Sequence, residues 1–259
     1  MKILFLGKQD NSVFSFLKKN ENFFSLLPDE KIELCDIEKI NPDLIVCYGY
    51  RKIIKKEIIE VYRNRIINLH ISYLPWNRGA YPNVWSFLHN TPKGVTIHYI
   101  NEGIDTGDVL LQKMVFFDNL NDHTFSTTYN HLSSEIEKLF IENWNNIKNQ
   151  NLMPKKQNVA EGSYHSLKQS KNKFKEVGLF ENWEEKVSKF MKYKKSDDEI
   201  IDEIQKIRTQ NNTHWMDVVR LAFRDNPEEA RDIFKKIKFC DFKVNELLKE
   251  LSENDGDIK

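Results

Sequence analysis

Cysteine is scarce in this chain. The three residues, Cys35, Cys47 and Cys240, are odd in number and far apart, which points away from a disulfide framework and from a zinc site. Long hydrophobic runs are missing as well. No stretch approaches a bilayer span, and the opening "ILFLG" is far too short for a signal-peptide core, so the expected compartment is cytoplasmic and no membrane partner is expected. Nor is there an excess of charge of either sign, with Lys+Arg and Asp+Glu at 39 each. Without a global positive field, nucleic acid is not the expected partner. Glycine is sparse where a dinucleotide fingerprint would need it: "FLGKQDNS" lacks the second and third glycines, and no P-loop occurs. A Rossmann-like topology remains expected, without NAD or FAD.

What is present is a chain of 259 residues with enough apolar content, 40%, for a packed core. "KILFLG", "KIELCD", "DLIVCYGY" and "RIINLH" read as short β-type runs. "NSVFSFLKK", with Asn11 as N-cap, "KKEIIEVY" and "PNVWSFLHN" read as helices. Two further strands, "GVTIHYI" and "DVLLQKMVFF", flank the turn "NEGIDTG", and one long amphipathic helix is expected over residues 124–149. Strands alternating with helices predict an α/β sheet with helices on both faces. After about residue 170 the composition turns lysine- and glutamate-rich, with apolar residues at helical spacing in "WMDVVRLAF". The expected domains are therefore a catalytic domain over residues 1–168 and a helical C-terminal extension over 169–259.

"NLHISYLPWNRGAYP" is the informative stretch. Side chains alternate in a strand, so Asn68 and His70 face the same side while Leu69 enters the core. Ligands gather at the carboxyl ends of strands in such sheets, where an amide can donate to an oxyanion and an imidazole can move protons. On this reading His70 is an exposed residue of a crevice. Downstream, Thr96 and His98 share a strand face, and "GIDTGD" sets Asp105 between two glycines. No serine or cysteine nucleophile and no metal spacing stands out, which favours direct transfer of an acyl group.

Taken together, "INLHISYLPWNRGAYP" and "KGVTIHYINEGIDTGDVLLQ" resemble the folate-dependent formyltransferases: Asn-x-His, Leu-Pro-x-x-Arg-Gly, Gly-x-Thr-x-His and Asp-x-Gly at this spacing. The likeness is close over residues 40–120 and looser over 1–165. It implies 10-formyltetrahydrofolate as formyl donor, a primary amine as acceptor, and Asn68, His70 and Asp105 as the catalytic set. It implies further that the folate head lies against Tyr48, Gly49, Tyr50, Arg51 and Ile53, mostly through backbone contacts. Thr96 and His98 would support the catalytic residues from behind.

Within the family, "FLG", "YGYRKII" and "GSYH" resemble the bacterial sugar-nucleotide N-formyltransferases. That implies a TDP- or UDP-linked amino-dideoxy sugar as acceptor, serving surface-polysaccharide synthesis, and a homodimer braced by residues 170–259. Arg78 and Gly79 would then meet substrate, although Arg78 equally suits a role fixing its own loop. Tyr164 and His165 would meet the nucleotide, or simply turn the chain. Methionyl-tRNA is the runner-up acceptor, and a non-catalytic folate-binding assembly protein is the reading outside enzymology. Trp183 and Trp215 are expected in helical cores, and the lysine runs at 168–175 and 192–195 on solvated faces.

Overall fold

Short apolar strands buried on both faces organise the molecule. The computed structural model describes residues 1–179, 182–191 and 226–253. Its strands Lys2–Gly7 (β1), Asn22–Leu26 (β2), Leu44–Tyr48 (β3), Ile66–His70 (β4), Gly94–Tyr99 (β6) and Val109–Met114 (β7) form one sheet in the order β2-β1-β3-β4-β6-β7. The first four are mutually parallel, while β6 and β7 run antiparallel to their neighbours. Two more short strands, Arg78–Gly79 (β5) and Tyr164–His165 (β8), pair with each other. This is the α/β Rossmann-like class that the sequence predicts.

Successive residues of a strand serve opposite faces. Ile3, Phe5, Leu44, Val46, Ile67, Leu69, Val95 and Ile97 pack on one side with the helices Ser12–Asn20 (α1), Pro82–Leu88 (α4) and Phe125–Glu142 (α5). Leu4, Leu6, Ile45, Cys47 and Ile66 pack on the other, against Ile37 of Leu34–Ile40 (α2) and Ile58 of Lys56–Val61 (α3). Cys47 is wholly enclosed, and burial pushes its thiol up to about 12. α1 starts as expected, with Asn11 Oδ1 accepting from the Phe14 amide at 2.9 Å. The same end has a second acceptor, Glu137 of α5, which receives the Ser12 amide at 3.0 Å and the Tyr48 hydroxyl at 3.1 Å.

Two elements differ from the sequence reading. "KIELCD" is not a strand: Leu34, Ile37 and Ile40 repeat every three residues and pack as one face of α2, which Asn41 closes in the left-handed region. The strand on that side is β2, whose run "NFFSL" is mostly solvent-accessible and lacks a clean alternation. The long helix also breaks early. Asn143 Nδ2 donates to the Leu139 carbonyl at 2.9 Å, and Trp144–Lys148 continues as a separate helix, α6. Side-chain amides compete with the helix backbone in this way.

The first compact unit runs from Met1 to Met191, so the chain after residue 168 begins inside it. Ser166 caps the helix Leu167–Glu176 (α7), which buries Ser170 and Phe174. Trp183 joins this core by stacking on Tyr81 at 5.7 Å. In the second unit, 192–259, the helix Pro227–Glu253 buries Leu247 beside Cys240, Val244 and Leu251, one stripe at helical spacing. The stripe at 215–223, with Trp215, and the lysine run at 192–195 lie outside the described residues. No helix among the described residues is long and apolar enough to cross a membrane.

Phe140 is fully buried on α5 and meets Trp144 at 5.3 Å. Phe140→Ala should therefore lower the unfolding free energy by about 3–5 kcal/mol, read from urea denaturation. A loss within about 0.5 kcal/mol, the range of surface changes, would show that this helix does not anchor the core.

Candidate active site

On β4, Ile67 and Leu69 enter the core, which leaves Asn68 and His70 on the opposite face. The antiparallel neighbour β6 sets His98 directly across from Asn68 and Thr96 directly across from His70. Opposed residues of an antiparallel pair share a face, so the register alone assembles four polar side chains. Asp105, in the turn between β6 and β7, closes over them. Its Oδ1 lies 3.3 Å from Asn68 Nδ2 and 3.6 Å from His98 Nε2, and its Oδ2 lies 3.7 Å from His70 Nδ1. Gly79 N–H donates to Oδ2 at 2.8 Å. Asn68, His70 and Asp105 are thus one cluster, with His98 behind them.

Burial and charge oppose each other here. Burial alone would raise the Asp105 carboxyl, but His70, His98 and the Gly79 amide outweigh it and hold the group well below the usual carboxylate range. Burial lowers the His70 ring; the Asp105 charge opposes this and His98 reinforces it, leaving a net fall. At neutral pH the pair is a carboxylate facing a neutral imidazole. His70 Nε2 lies 3.3 Å from the Asn77 carbonyl, so both ring nitrogens face acceptors. A neutral ring can satisfy one of them, and an imidazolium satisfies both. Only 7% of His70 is exposed, which corrects the reading of it as an exposed crevice residue: the 71–80 loop covers the ring. His98 Nδ1 donates to the Tyr99 carbonyl at 2.8 Å, and its Nε2 faces both Asn68 Nδ2 at 3.3 Å and Asp105 Oδ1 at 3.6 Å.

The loop is held at several points. Thr96 Oγ1 donates to the Ser72 carbonyl at 2.6 Å and receives the Leu74 amide at 3.2 Å. Thr96 is therefore a loop anchor. Gln112 adds bonds to the Leu74 carbonyl at 2.7 Å and to Thr96 at 3.0 Å. Asn77 is fully buried in the left-handed region, bonding Ser163 Oγ at 2.9 Å through its amide and Thr91 at 2.7 Å through its side chain.

The other expected site residues sort by their contacts. Tyr48 and Tyr50 point their hydroxyls at Glu137 and the Glu30 carbonyl, and Arg51 pairs with Asp29 at 2.9 Å. Gly49 is left-handed and Ile53 is 82% exposed, so beside its ion-paired Arg51 the segment presents backbone and an apolar side chain. Since Cys47 pairs with Asn68, this segment leaves β3 beside β4. Gly79 is required where it stands: its φ is +91°, and a Cβ would lie 2.4 Å from the His165 carbonyl. Arg78 has its Nε buried without a partner. Tyr164 is exposed over Gly79, whereas His165 is buried and stacks on Trp85 at 3.8 Å, pointing away from Tyr164 across the short strand. His165 fills the core behind the loop rather than a surface that a ligand could reach. A cleft of about 560 Å³ opens beside Trp85, His89, Lys168 and Lys173, and Asn68, His70 and Asp105 do not line it.

Asn77, Ser163 and Gln157 were not anticipated. Asn77 had a readable signal, an asparagine ahead of Arg-Gly in a tight turn. Gln157 had none, lying in the polar run "PKKQN".

Comparison with known proteins identifies the architecture. The formyl transferase family matches residues 8–143, and the chain belongs to that family. The formyltransferase PseJ from Anoxybacillus kamchatkensis, solved with UDP-4,6-dideoxy-4-formamido-L-AltNAc and tetrahydrofolate, is 42% identical. The match covers 73% of this chain and 97% of that one, with a TM-score of 0.66. Methionyl-tRNA formyltransferase from Caldicellulosiruptor saccharolyticus is 38% identical over 149 residues, 57% of this chain and 43% of that enzyme. Its counterpart from Ehrlichia ruminantium (strain Gardel) is 40% identical over 49% of this chain and 41% of its own length. The chain thus spans under half the length of these curated relatives.

The histidines also set an acid limit on folding. His70, His89 and His165 all sit below their ordinary value of 6.5, His165 at about 4, each mainly because of burial. Such groups take up protons more readily when unfolded, so stability falls as pH drops below 6.5 and continues to fall until the folded value is reached. Asp105, depressed from 3.8, adds a loss only below that value. Urea midpoints should therefore decline from pH 6.5 towards 4, and His165→Gln should flatten that decline. An unchanged slope in the variant would remove His165 from this account.

Proposed function

We propose that the protein is an N-formyltransferase that moves a formyl group from 10-formyltetrahydrofolate to the primary amine of a TDP- or UDP-linked amino-dideoxy sugar. The observation that carries this reading is the contact of Asn68, His70 and Asp105 in one cluster, on a chain that matches 97% of PseJ. Family membership brings 10-formyltetrahydrofolate as cofactor. When bound, it supplies a carbonyl carbon that an amine can attack and an oxygen that gains negative charge. The segment 48–53 fits a flat ring system: its polar side chains are engaged elsewhere, and it offers left-handed Gly49 and exposed Ile53.

In this mechanism Asn68 donates an amide hydrogen to the developing oxyanion. Its Nδ2 lies 3.3 Å from both His98 Nε2 and Asp105 Oδ1, so donation to the oxyanion replaces a long contact with a charge-assisted bond. His70, neutral beforehand, takes a proton during the transfer, and Asp105 stabilises the imidazolium that results. Arg78 and Tyr164 form the acceptor side: a guanidinium with an unpartnered Nε lies beside an exposed ring on the paired strands β5 and β8. The same reading takes the protein as a homodimer, tested by light scattering. A second reading, methionyl-tRNA as acceptor, is favoured by the 38–40% identity to those enzymes.

The test incubates the protein with 10-formyltetrahydrofolate and a panel of TDP- and UDP-amino sugars, with methionyl-tRNA as a parallel arm, and follows formyl gain by mass spectrometry. Formylation of tRNA alone would overturn the sugar assignment. Asn68→Ala should lower kcat by about 10²–10³-fold, the loss for one oxyanion donor. Asp105→Asn should lower kcat strongly with little change in KM. Near-normal turnover in both variants would show that the chemistry lies elsewhere.

A further inference from the structure

We infer that Gln157 is a positioning residue that holds Asp105 in its working conformation, an inference that rests on the catalytic reading of Asp105 given above. Gln157 lies outside the motifs that carry the family resemblance. Its Nε2 donates to two carbonyls of the Asp105 turn, that of Asp105 itself at 3.0 Å and that of Gly107 at 2.6 Å. Its Oε1 is buried with no partner, so the side chain is set by its two donated bonds alone.

The turn needs such a restraint. Asp105 has φ +52°, in the left-handed region, which costs a residue other than glycine roughly 1 kcal/mol or more, with aspartate at the low end. Beside it Gly107 is pressed against β6, where a Cβ would lie 1.8 Å from the Tyr99 carbonyl. Asn101 ties the near side of the turn, accepting from the Gly103 amide at 3.1 Å and from Thr106 Oγ1 at 2.7 Å. None of those bonds reaches the Asp105 backbone. Gln157 does, and it fixes the carbonyls on either side of Thr106 with a single amide. A carboxylate on a turn free to leave the left-handed region would swing away from His70 Nδ1, now 3.7 Å distant.

The chain delivers Gln157 by backbone pairing. Val109 and Lys155 exchange both amide-to-carbonyl bonds at 2.8 Å, which brings the segment carrying Gln157 alongside the start of β7, next to the Asp105 turn. The same segment then reaches the other wall of the site. Gly162 packs on the Pro75 carbonyl, where a Cβ would come within 2.0 Å, and Ser163 Oγ receives the Asn77 amide. Residues 155–165 therefore form one strap across both the Asp105 turn and the loop that covers His70.

The experiment uses the full chain with Gln157→Leu, which keeps the bulk and removes the donors, and Gln157→Glu, which keeps shape and polarity and removes the donors at neutral pH. Two quantities are measured: kcat and KM with 10-formyltetrahydrofolate and the amino-sugar nucleotide that the panel identifies, and the titration of His70 by side-chain nitrogen NMR. A displaced carboxylate should cost about 10- to 100-fold in kcat with KM nearly unchanged. It should also move the His70 titration to lower pH, because Asp105 is the anion that raises it, opposed by burial and by His98. Asp105→Asn marks the full extent of that movement. A merely structural role would lower the urea midpoint and leave kcat per folded molecule and the His70 titration as in the parent, and that result overturns the inference. If Gln157→Leu does not fold, Gln157→Glu decides on the same two quantities. Near-normal turnover of Asp105→Asn would instead refute the catalytic reading; a crippled Asp105→Asn beside a fully active Gln157 variant would refute this inference alone.

Discussion

The register of β4 against β6 is the constraint on which the site depends. It sets Asn68 opposite His98 and His70 opposite Thr96, so four polar side chains emerge on one face with no loop required to gather them. A slip of one residue would turn that set towards the hydrophobic layer and bring Ile97 or Leu69 out in its place. The sheet resists this because Ile67, Leu69, Val95 and Ile97 are all locked into the layer beneath α4 and α5. The precision of the polar face is therefore a by-product of packing on the apolar one. A buried core on one side acts as the template for the polar cluster on the other.

Asp105 is the second requirement, and it comes from outside the sheet. A carboxylate can be kept charged in a buried place only where donors and cations converge on it. Here the Gly79 amide, Asn68 and two histidines do so, from β5, β4 and β6. The arrangement is mutual. The carboxylate orients the amide and both rings, and their convergence keeps it ionised. Removing one member leaves the others with unsatisfied groups, so the cluster behaves as a unit rather than as three independent residues.

Much of this was legible in the sequence. Buried apolar strands such as "KILFLG", and the helix capped by Asn11, were readable because local pattern and tertiary role agree there. The Asn68, His70 and Asp105 set was readable because strand alternation and the paired glycines around the turn are local features. What failed were features decided by distant contacts. "NFFSL" becomes a strand because β1 offers it an edge, and "KIELCD" becomes helical because Ile37 finds a pocket under the sheet. His70 is covered by a loop whose anchors are Thr96, Gln112 and Ser163, residues up to 93 positions away. Gln157 carries no mark in its own neighbourhood, since its partners are backbone carbonyls about 50 residues earlier.

Glu137 gives the fold a property distinct from its nucleotide-binding cousins. In Rossmann-type sheets the start of the first helix, with its free amides and positive dipole end, is the usual seat for a phosphate. Here Glu137 Oε2 already takes the Ser12 amide, and Oε1 takes the Tyr48 hydroxyl. The helix therefore carries its own built-in counter-ion. An incoming phosphate would have to displace a tethered carboxylate and would meet it as a like charge at close range. At that end of the sheet, a carboxylate of the chain itself competes with any anion for the start of α1.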